Sequence, residues 1–326
     1  MPPAEPPAMT DAARPALLLT GSVMEEVVER QLSGRLTLLP LDALDDTNAG
    51  AVQAIATRGK VKVDDALMAR LPNLKIVGNF GVGYDTVDAA AAAKRGVIVT
   101  NTPDVLNEEV ADLTLGLLLA TVRQIPQGDR FVRAGQWTKG AYPLGPTLRD
   151  RTVGILGMGR IGKAIARRLE AFSVPVVYHS RRPQADVAYR HYPDLVEMAR
   201  AVDVLVAILP GGPATRHIVN KEVLEALGAN GIFINVARGT VVDEAALLSA
   251  LQSRTILAAG LDVFEDEPKV PEAFFALDNV VLLPHVGSAT HFTRAAMGQL
   301  VVDNILAFFD GKGPLTPVAE TPWPRG

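Results

Sequence analysis

Short apolar runs alternate with longer amphipathic stretches along almost the whole chain, the spacing of repeated βα units that build parallel sheets. In the first third, residues 16–20, 36–39, 52–56, 74–77 and 97–100 are short, mostly apolar runs that read as buried strands. Residues 86–95 are rich in Ala and stop at Gly96, which predicts a helix closed by a glycine just past its end. Asn101-Thr102-Pro103-Asp104 breaks the pattern and reads as a crossing between domains. Residues 108–122 follow as a long apolar helix.

A second series begins at Thr152, with strands predicted at 153–156, 174–178, 202–208, 231–236, 256–261 and 280–283. A helix over 293–309 comes too late to extend this series and is expected to return to the first domain. The pattern predicts an α/β fold of two Rossmann-like or flavodoxin-like domains with parallel sheets. One domain, 102–288, is inserted into a discontinuous one, 16–101 and 289–326. A chain of 326 residues, about twice the usual domain size, has room for both. Residues 1–15 are rich in Pro and Ala, with neither a basic nor an apolar segment, and are expected to be a disordered tail rather than a signal peptide.

Composition narrows the chemistry. The net charge is −4 without a basic stripe, so neither nucleic acid nor an anionic membrane is an expected partner. Cysteine is absent, which excludes disulfides, thiolate catalysis and cysteine metal sites, and suits a reducing, cytoplasmic setting. No apolar run reaches the roughly 18 residues of a membrane span. No His, Asp and Glu cluster at ligand spacing, so no metal is expected.

The strongest local motif is Val153-Gly-Ile-Leu-Gly157-Met-Gly159-Arg160-Ile161-Gly162, a strand set directly against a Gly-x-Gly-x-x-Gly turn and a helix. Gly157 permits the tight turn, Gly159 lets the backbone approach a pyrophosphate, and Gly162 lets helix and strand pack closely. The pattern alone is weak; in this context it predicts dinucleotide binding. NAD sites usually place an acidic residue at the end of the next strand, about 20 residues on. Here that strand runs into His179-Ser180-Arg181-Arg182-Pro183 instead. A hydroxyl and two guanidiniums suit the additional phosphate of NADP, with Ser180 donating and Arg181 and Arg182 supplying charge. An ordinary solvated basic loop is the plainer reading.

Three further stretches carry candidate chemistry: Ile234-Asn-Val236-Ala237-Arg238-Gly239, Gly260-Leu-Asp262-Val-Phe-Glu265-Asp266-Glu267-Pro268 and Leu283-Pro284-His285-Val-Gly287-Ser288. Arg238 and His285 each follow a predicted strand, the edge at which open α/β sheets bind ligands. Singly, Arg238 could be a surface arginine, Glu267 a solvated loop acid and His285 a core histidine. Together, in this order and spacing and with the glycine loop, they resemble the D-isomer-specific 2-hydroxyacid dehydrogenases. The resemblance extends over nearly the whole chain from about Ala16, and Gly81-Val82-Gly83-Tyr84-Asp85 looks like that family's substrate-carboxylate loop. Within the family the chain looks nearest the NADPH-using glyoxylate, hydroxypyruvate and arylpyruvate reductases.

The resemblance implies reduction of a small 2-keto acid to the D-2-hydroxy acid by NADPH. It makes 102–288 the NADP-binding domain and 16–101 with 289–326 the substrate-binding domain. It implies that the Val82 and Gly83 N–H groups hold the substrate carboxylate, and that Arg238 bridges carboxylate and carbonyl. His285 is implied as the acid and Glu267 as the partner that raises its pKa. Asp266 stands beside Glu267, but the Asp-Glu-Pro match assigns the role to Glu267. Cofactor contacts are implied at Gly157, Gly159, Arg160, Ile161, Gly162, Ser180, Arg181, Arg182, Pro210, Thr215, Val236, Ala237, Arg238, Asp262, His285 and Gly287. Histidines 179, 191, 217 and 291 match no family motif and read as structural or surface residues.

Two other readings share the fold. Formate dehydrogenases pair the histidine with glutamine, whereas this chain has Glu267; a nucleotide-sensing corepressor would bring extended partner-binding segments. The helix over 108–122 and the stretch Phe131-Val-Arg-Ala-Gly-Gln-Trp137 offer more apolar surface than one chain readily covers, which predicts a homodimer. Family dimers pack here, with a tryptophan reaching the neighbour's substrate pocket; Trp137 is the candidate and Tyr142 the alternative. Arg58, Gly59 and Phe80 are expected to wall the pocket, and none of them decides between glyoxylate, hydroxypyruvate, pyruvate and phenylpyruvate.

Overall fold

The computed structural model describes residues 14–59 and 61–324, so most of the expected N-terminal tail lies outside the described residues. Two compact units emerge: one runs up to Leu106 and resumes at His291, and the other is Asn107–Thr290.

In the first unit five parallel strands stand in the order β2-β1-β3-β4-β5. They are β1 (Ala16–Leu19), β2 (Thr37–Pro40), β3 (Val52–Thr57), β4 (Ile76–Asn79) and β5 (Ile98–Thr100). This is the flavodoxin-type order, and the inner strands are buried on both faces, as their mostly apolar sequences lead one to expect. The connections carry α1 (Arg30–Leu32, continuing a π-helical turn over Glu25–Glu29), α2 (Asp65–Ala69) and α3 (Ala89–Lys94). The expected helix over 86–95 is thus shortened at its start. Val87 instead bridges to Val63, and the Asp88 carboxylate accepts the Ala91 N–H at 2.8 Å, capping α3 from outside. The last helix of the chain, α10 (His291–Phe309), belongs to this unit and packs on β4.

The second unit holds a seven-stranded parallel sheet in the order β12-β11-β10-β9-β6-β7-β8. Its strands are β6 (Val153–Leu156), β7 (Val176–His179), β8 (Arg190–Tyr192), β9 (Val204–Ala207), β10 (Ile232–Asn235), β11 (Ala258–Leu261) and β12 (Val280–Leu282). Its helices are α4 (Asn107–Val122), α5 (Ile125–Arg133), α6 (Arg160–Glu170), α7 (Leu195–Ala201), α8 (Lys221–Leu227) and α9 (Glu244–Gln252). Side chains alternate between two cores with the period of a strand. Leu205, Ala207 and Phe233 join the core that includes Leu195, Leu224 and Leu247, while Val204, Val206, Ile232 and Ile234 join the one with Leu117 and Ile165.

The apolar helix α4 buries Val110, Ala111, Leu115, Leu117, Leu118 and Val122 within its own unit, so it is not the source of surplus apolar surface. The surplus lies just after it. Ile125, Val132, Leu144 and Trp137 are exposed, Trp137 at 68 %, while Tyr142 packs edge-on against Phe131. Neither α5 nor the short edge strand β8 was expected from the sequence.

Candidate active site

The catalytic and cofactor candidates of the second unit follow the carboxyl ends of strands of one sheet. Gly157 follows β6, Ser180 follows β7, Pro210 follows β9, Arg238 follows β10, Asp262 and Glu267 follow β11, and His285 follows β12. Parallel strands point their carboxyl ends the same way, so six loops share one edge.

At β6 the three glycines divide the work. Gly157 has φ +108°, and a Cβ there would stand 2.3 Å from the Ile208 carbonyl oxygen. A Cβ on Gly162 would stand 2.1 Å from the Gly157 carbonyl oxygen. Both must therefore be glycine for the turn and first helical turn to pack. Gly159 differs: its Cβ would meet nothing within 4 Å, and it caps α6 without a side chain. The fold itself does not require a glycine there, and the open space in front of a helix N-terminus fits a pyrophosphate. Arg160 and Ile161 form the start of that helix.

Beyond β7, the chain turns through an arch. The Ser180 hydroxyl, expected to face a cofactor phosphate, donates at 2.6 Å to the Arg182 carbonyl. Side chains of Arg181 and Arg182 are exposed. The next carboxylate along the chain, Asp186, is held by Lys163 at 2.6 Å, and that bond keeps its carboxyl below the usual range. In the loop after β9, the Thr215 hydroxyl donates to the Pro210 carbonyl at 2.8 Å.

The catalytic candidates sit on three adjacent strands, β10, β11 and β12. Glu267 Oε2 lies 2.7 Å from Nδ1 of His285, and its other oxygen accepts the Phe264 N–H at 3.1 Å. Burial pushes the Glu267 carboxyl up, but the His285 bond and charge, the Phe264 N–H and the charge of Arg238 outweigh it. The net result is a carboxyl below its ordinary value. Asp266, the neighbour that could have been mistaken for the partner, pairs with Lys269 instead. Arg238 is in extended backbone conformation at the end of β10 and donates to the Ala237 carbonyl at 2.8 Å. Val236 and Ala237 are buried at the base of the same loop.

Backbone conformation at His285 is left-handed, with φ +56°, uncommon for a non-glycine residue and costing about 1–3 kcal/mol. Asp262 holds it there. The Asp262 carbonyl accepts the His285 N–H at 2.8 Å, and its carboxylate accepts Val286 N–H at 2.7 Å and Gly287 N–H at 2.9 Å. Burial raises the Asp262 carboxyl above its ordinary value, against the pull of these two N–H groups. Asp262 and Gly287, read from sequence as cofactor contacts, are thus bonded to each other. Asn235, fully buried, does the same for the Arg238 loop: it accepts the Ala237 N–H at 3.1 Å and donates to the Arg238 carbonyl at 3.0 Å. Sequence reasoning missed Asn235; an Asn at the end of an otherwise apolar strand was the available signal.

In the first unit the loop after β4 is built with its carbonyls to one side. Asn79 Nδ2 donates to the Gly81 and Gly83 carbonyls at 3.1 Å each, and Asn101 Nδ2 donates to that of Val82 at 2.9 Å. The Thr102 N–H also donates to Gly81. Among the described residues no hydrogen bond uses the N–H of Val82 or Gly83. Successive N–H groups left this way form a concavity suited to an anion. Phe80, at the head of the loop, has the guanidiniums of Arg58 and Arg294 over its ring, 5.8 and 5.6 Å from its centroid.

A glycine-rich βα turn, a seven-stranded parallel sheet and an acid–histidine pair at its edge define a dinucleotide-binding dehydrogenase. Residues 115–287 match the family model described as D-isomer specific 2-hydroxyacid dehydrogenase, NAD binding domain. The chain belongs to the D-isomer specific 2-hydroxyacid dehydrogenase family. It is 47 % identical over 301 residues to glyoxylate/hydroxypyruvate reductase A of Arabidopsis thaliana, covering 90 % of this chain and 96 % of the relative. It is 42 % identical over 303 residues to 2-ketogluconate reductase of Gluconobacter oxydans, covering 92 % and 98 %. Among solved structures it is similar to the NADPH-dependent glyoxylate/hydroxypyruvate reductase of Sinorhizobium meliloti in complex with NADP and malonate. That match has a TM-score of 0.91 and 51 % identity, covering 96 % of this chain and 99 % of that one.

Proposed function

We propose that this protein is an NADPH-dependent reductase that converts small 2-keto acids, glyoxylate and hydroxypyruvate foremost, to D-2-hydroxy acids. The observation that carries the reading is the Glu267–His285 pair at the sheet edge of a chain in this family. The related reductases named above act on substrates of this class.

The roles follow from what each group can do. Hydride for C2 of the keto acid is the chemistry a bound nicotinamide supplies. Glu267 takes up Nδ1 of His285, so Nε2 is the ring nitrogen that gives a proton to the carbonyl oxygen. Arg238 offers forked, permanently charged donors to the same developing oxyanion. Asp262 and Asn235 keep the loops of His285 and Arg238 in register. In the first unit, the Val82 and Gly83 N–H groups take the substrate carboxylate. The glycine turn of Gly157, Gly159 and Gly162, with Arg160 and Ile161, would hold the pyrophosphate, and Arg181 and Arg182 would hold the 2′-phosphate. The Ser180 hydroxyl shapes their loop through its bond to the Arg182 carbonyl. The first unit is then the substrate domain and the second the NADP domain.

A homodimer joined through the exposed face of α5 and Trp137, and a cytoplasmic location, complete the proposal. Among the described residues no helix is long and apolar enough to cross a membrane. The deciding experiment compares kcat/KM for glyoxylate, hydroxypyruvate, pyruvate and phenylpyruvate, each with NADPH and with NADH. Turnover of none of these acids with either cofactor would overturn the reading.

A further inference from the structure

Two histidines that belong to no family motif stand beneath the arch at 180–182. Strand β8 pairs in parallel with β7 so that His191 lies opposite Tyr178 and Tyr192 opposite His179. His191 Nε2 is 2.9 Å from the Ser180 carbonyl oxygen. A carbonyl can only accept, so Nε2 carries the hydrogen and donates. His179 makes the reciprocal bond, Nδ1 donating to the Tyr192 carbonyl at 2.9 Å, and the two rings lie 13° from parallel. Each strand thus hands a ring proton to a carbonyl of its neighbour's chain, in addition to the backbone ladder.

The far end of the arch is also tied. Tyr178 is buried, its ring is 5.1 Å from that of His191, and its hydroxyl accepts the Gln184 N–H at 2.8 Å. With the Ser180 hydroxyl bonded to the Arg182 carbonyl, the backbone is fixed at 180, 182 and 184. The Arg181 and Arg182 side chains are left exposed.

Resting on the NADPH reading, we propose that His191 is a positioning residue for cofactor selection, fixing from β8 the arch that presents Arg181 and Arg182 to a 2′-phosphate. Guanidinium forks recognise phosphate by geometry, so a loop already in its bound shape loses less conformational freedom on binding. A cofactor without the 2′-phosphate makes no use of the arch and is indifferent to its shape. A role for His191 in packing alone would affect both cofactors alike.

The test titrates NADPH and NADH against the full-length protein and reads dissociation constants from nicotinamide fluorescence. His191→Phe keeps a ring between Tyr178 and His179 but removes the donor; His191→Gln restores an amide N–H near the Nε2 position. The Phe variant should bind NADPH about 3- to 10-fold more weakly, the range for one lost hydrogen bond, with NADH within about twofold of the unmutated protein. The Gln variant should recover most of the loss. An undiminished preference in His191→Phe, or equal weakening for both cofactors, overturns the role of His191 and leaves the NADPH reading standing. Equal affinity for both cofactors in the unmutated protein overturns that reading, and this proposal with it.

Discussion

Glu267 holds His285 by Nδ1 at 2.7 Å, which leaves Nε2 on the opposite side of the ring as the nitrogen available to a substrate carbonyl. A proton donor placed this way contributes roughly 10²- to 10⁴-fold to a rate. His285→Ala should therefore lower kcat by that order while the dissociation constant of the cofactor stays within a few-fold. Near-normal turnover in steady-state assays of this variant would remove His285 from the reaction.

The same pair sets a pH dependence. The folded-state pKa of Glu267 is lowered from its ordinary 4.5. A lowered carboxyl contributes stability above its unfolded value and loses it as pH falls through the lower folded value. Melting curves of the protein and of Glu267→Gln between pH 3 and 6 should show an advantage for Glu267 above about pH 4.5 that shrinks below it. A constant difference across the range would contradict the pairing.

The glycine loop separates folding from binding. Gly162→Ala drives a methyl against the Gly157 carbonyl and should cost at least about 1–3 kcal/mol of stability. Gly159→Ala has room in the protein and should melt near the normal temperature. It should nevertheless bind NADPH on the order of tenfold more weakly, because its methyl occupies the approach of the pyrophosphate. Calorimetric melts beside cofactor titrations distinguish the two, and an unimpaired Gly159→Ala would place the pyrophosphate elsewhere.

Removing both guanidiniums of the arch tests cofactor choice directly. Arg181→Ala with Arg182→Ala should raise KM for NADPH on the order of 10²-fold, allowing for exposure and non-additivity. NADH kinetics should barely change, and the salt sensitivity of NADPH binding should fall toward that of NADH. An unchanged NADPH-to-NADH ratio in this variant would make the arch an ordinary solvated turn.

Strand cores and the glycine turn were legible because their signals are local. Buried parallel strands are apolar at every position, and three glycines at fixed spacing sit on a single turn. Strand β8 was not: Arg190-His191-Tyr192 has no apolar run and exists because it pairs with β7 at the sheet edge. The helix predicted over 86–95 began too early because the pairing of Val87 with Val63, a tertiary contact, competes with helix propensity there. Arg238, Glu267 and His285 were singled out through motif order, and the structure brings Glu267 and His285 within a hydrogen bond. Asp262 as a clamp for 285–287, Asn235 for Arg238 and Asn79 for the 81–83 loop were not read as such. Each works by bonding backbone groups whose position only the folded sheet edge defines.

Apolar surface after α4 should be covered by a second copy. Sedimentation at micromolar concentration should give a dimer, and Val132→Asp with Trp137→Ala should shift it toward monomer, since both residues are exposed. A monomeric unmutated protein would rule out the assembly.

The break in the first unit also has a consequence during synthesis. Val301 and Ile305 of α10 close over Gly78 of β4, yet the whole of Asn107–Thr290 intervenes along the chain. A ribosome working at roughly 5–20 residues per second needs on the order of 10–40 s to cross that stretch. The second unit, continuous in sequence, can mature as it emerges, while the face of β4 waits uncovered for a helix made after it. Strand β4 is therefore finished later than the strands of the second unit that are translated after it, and its open face is available to a chaperone in the interval.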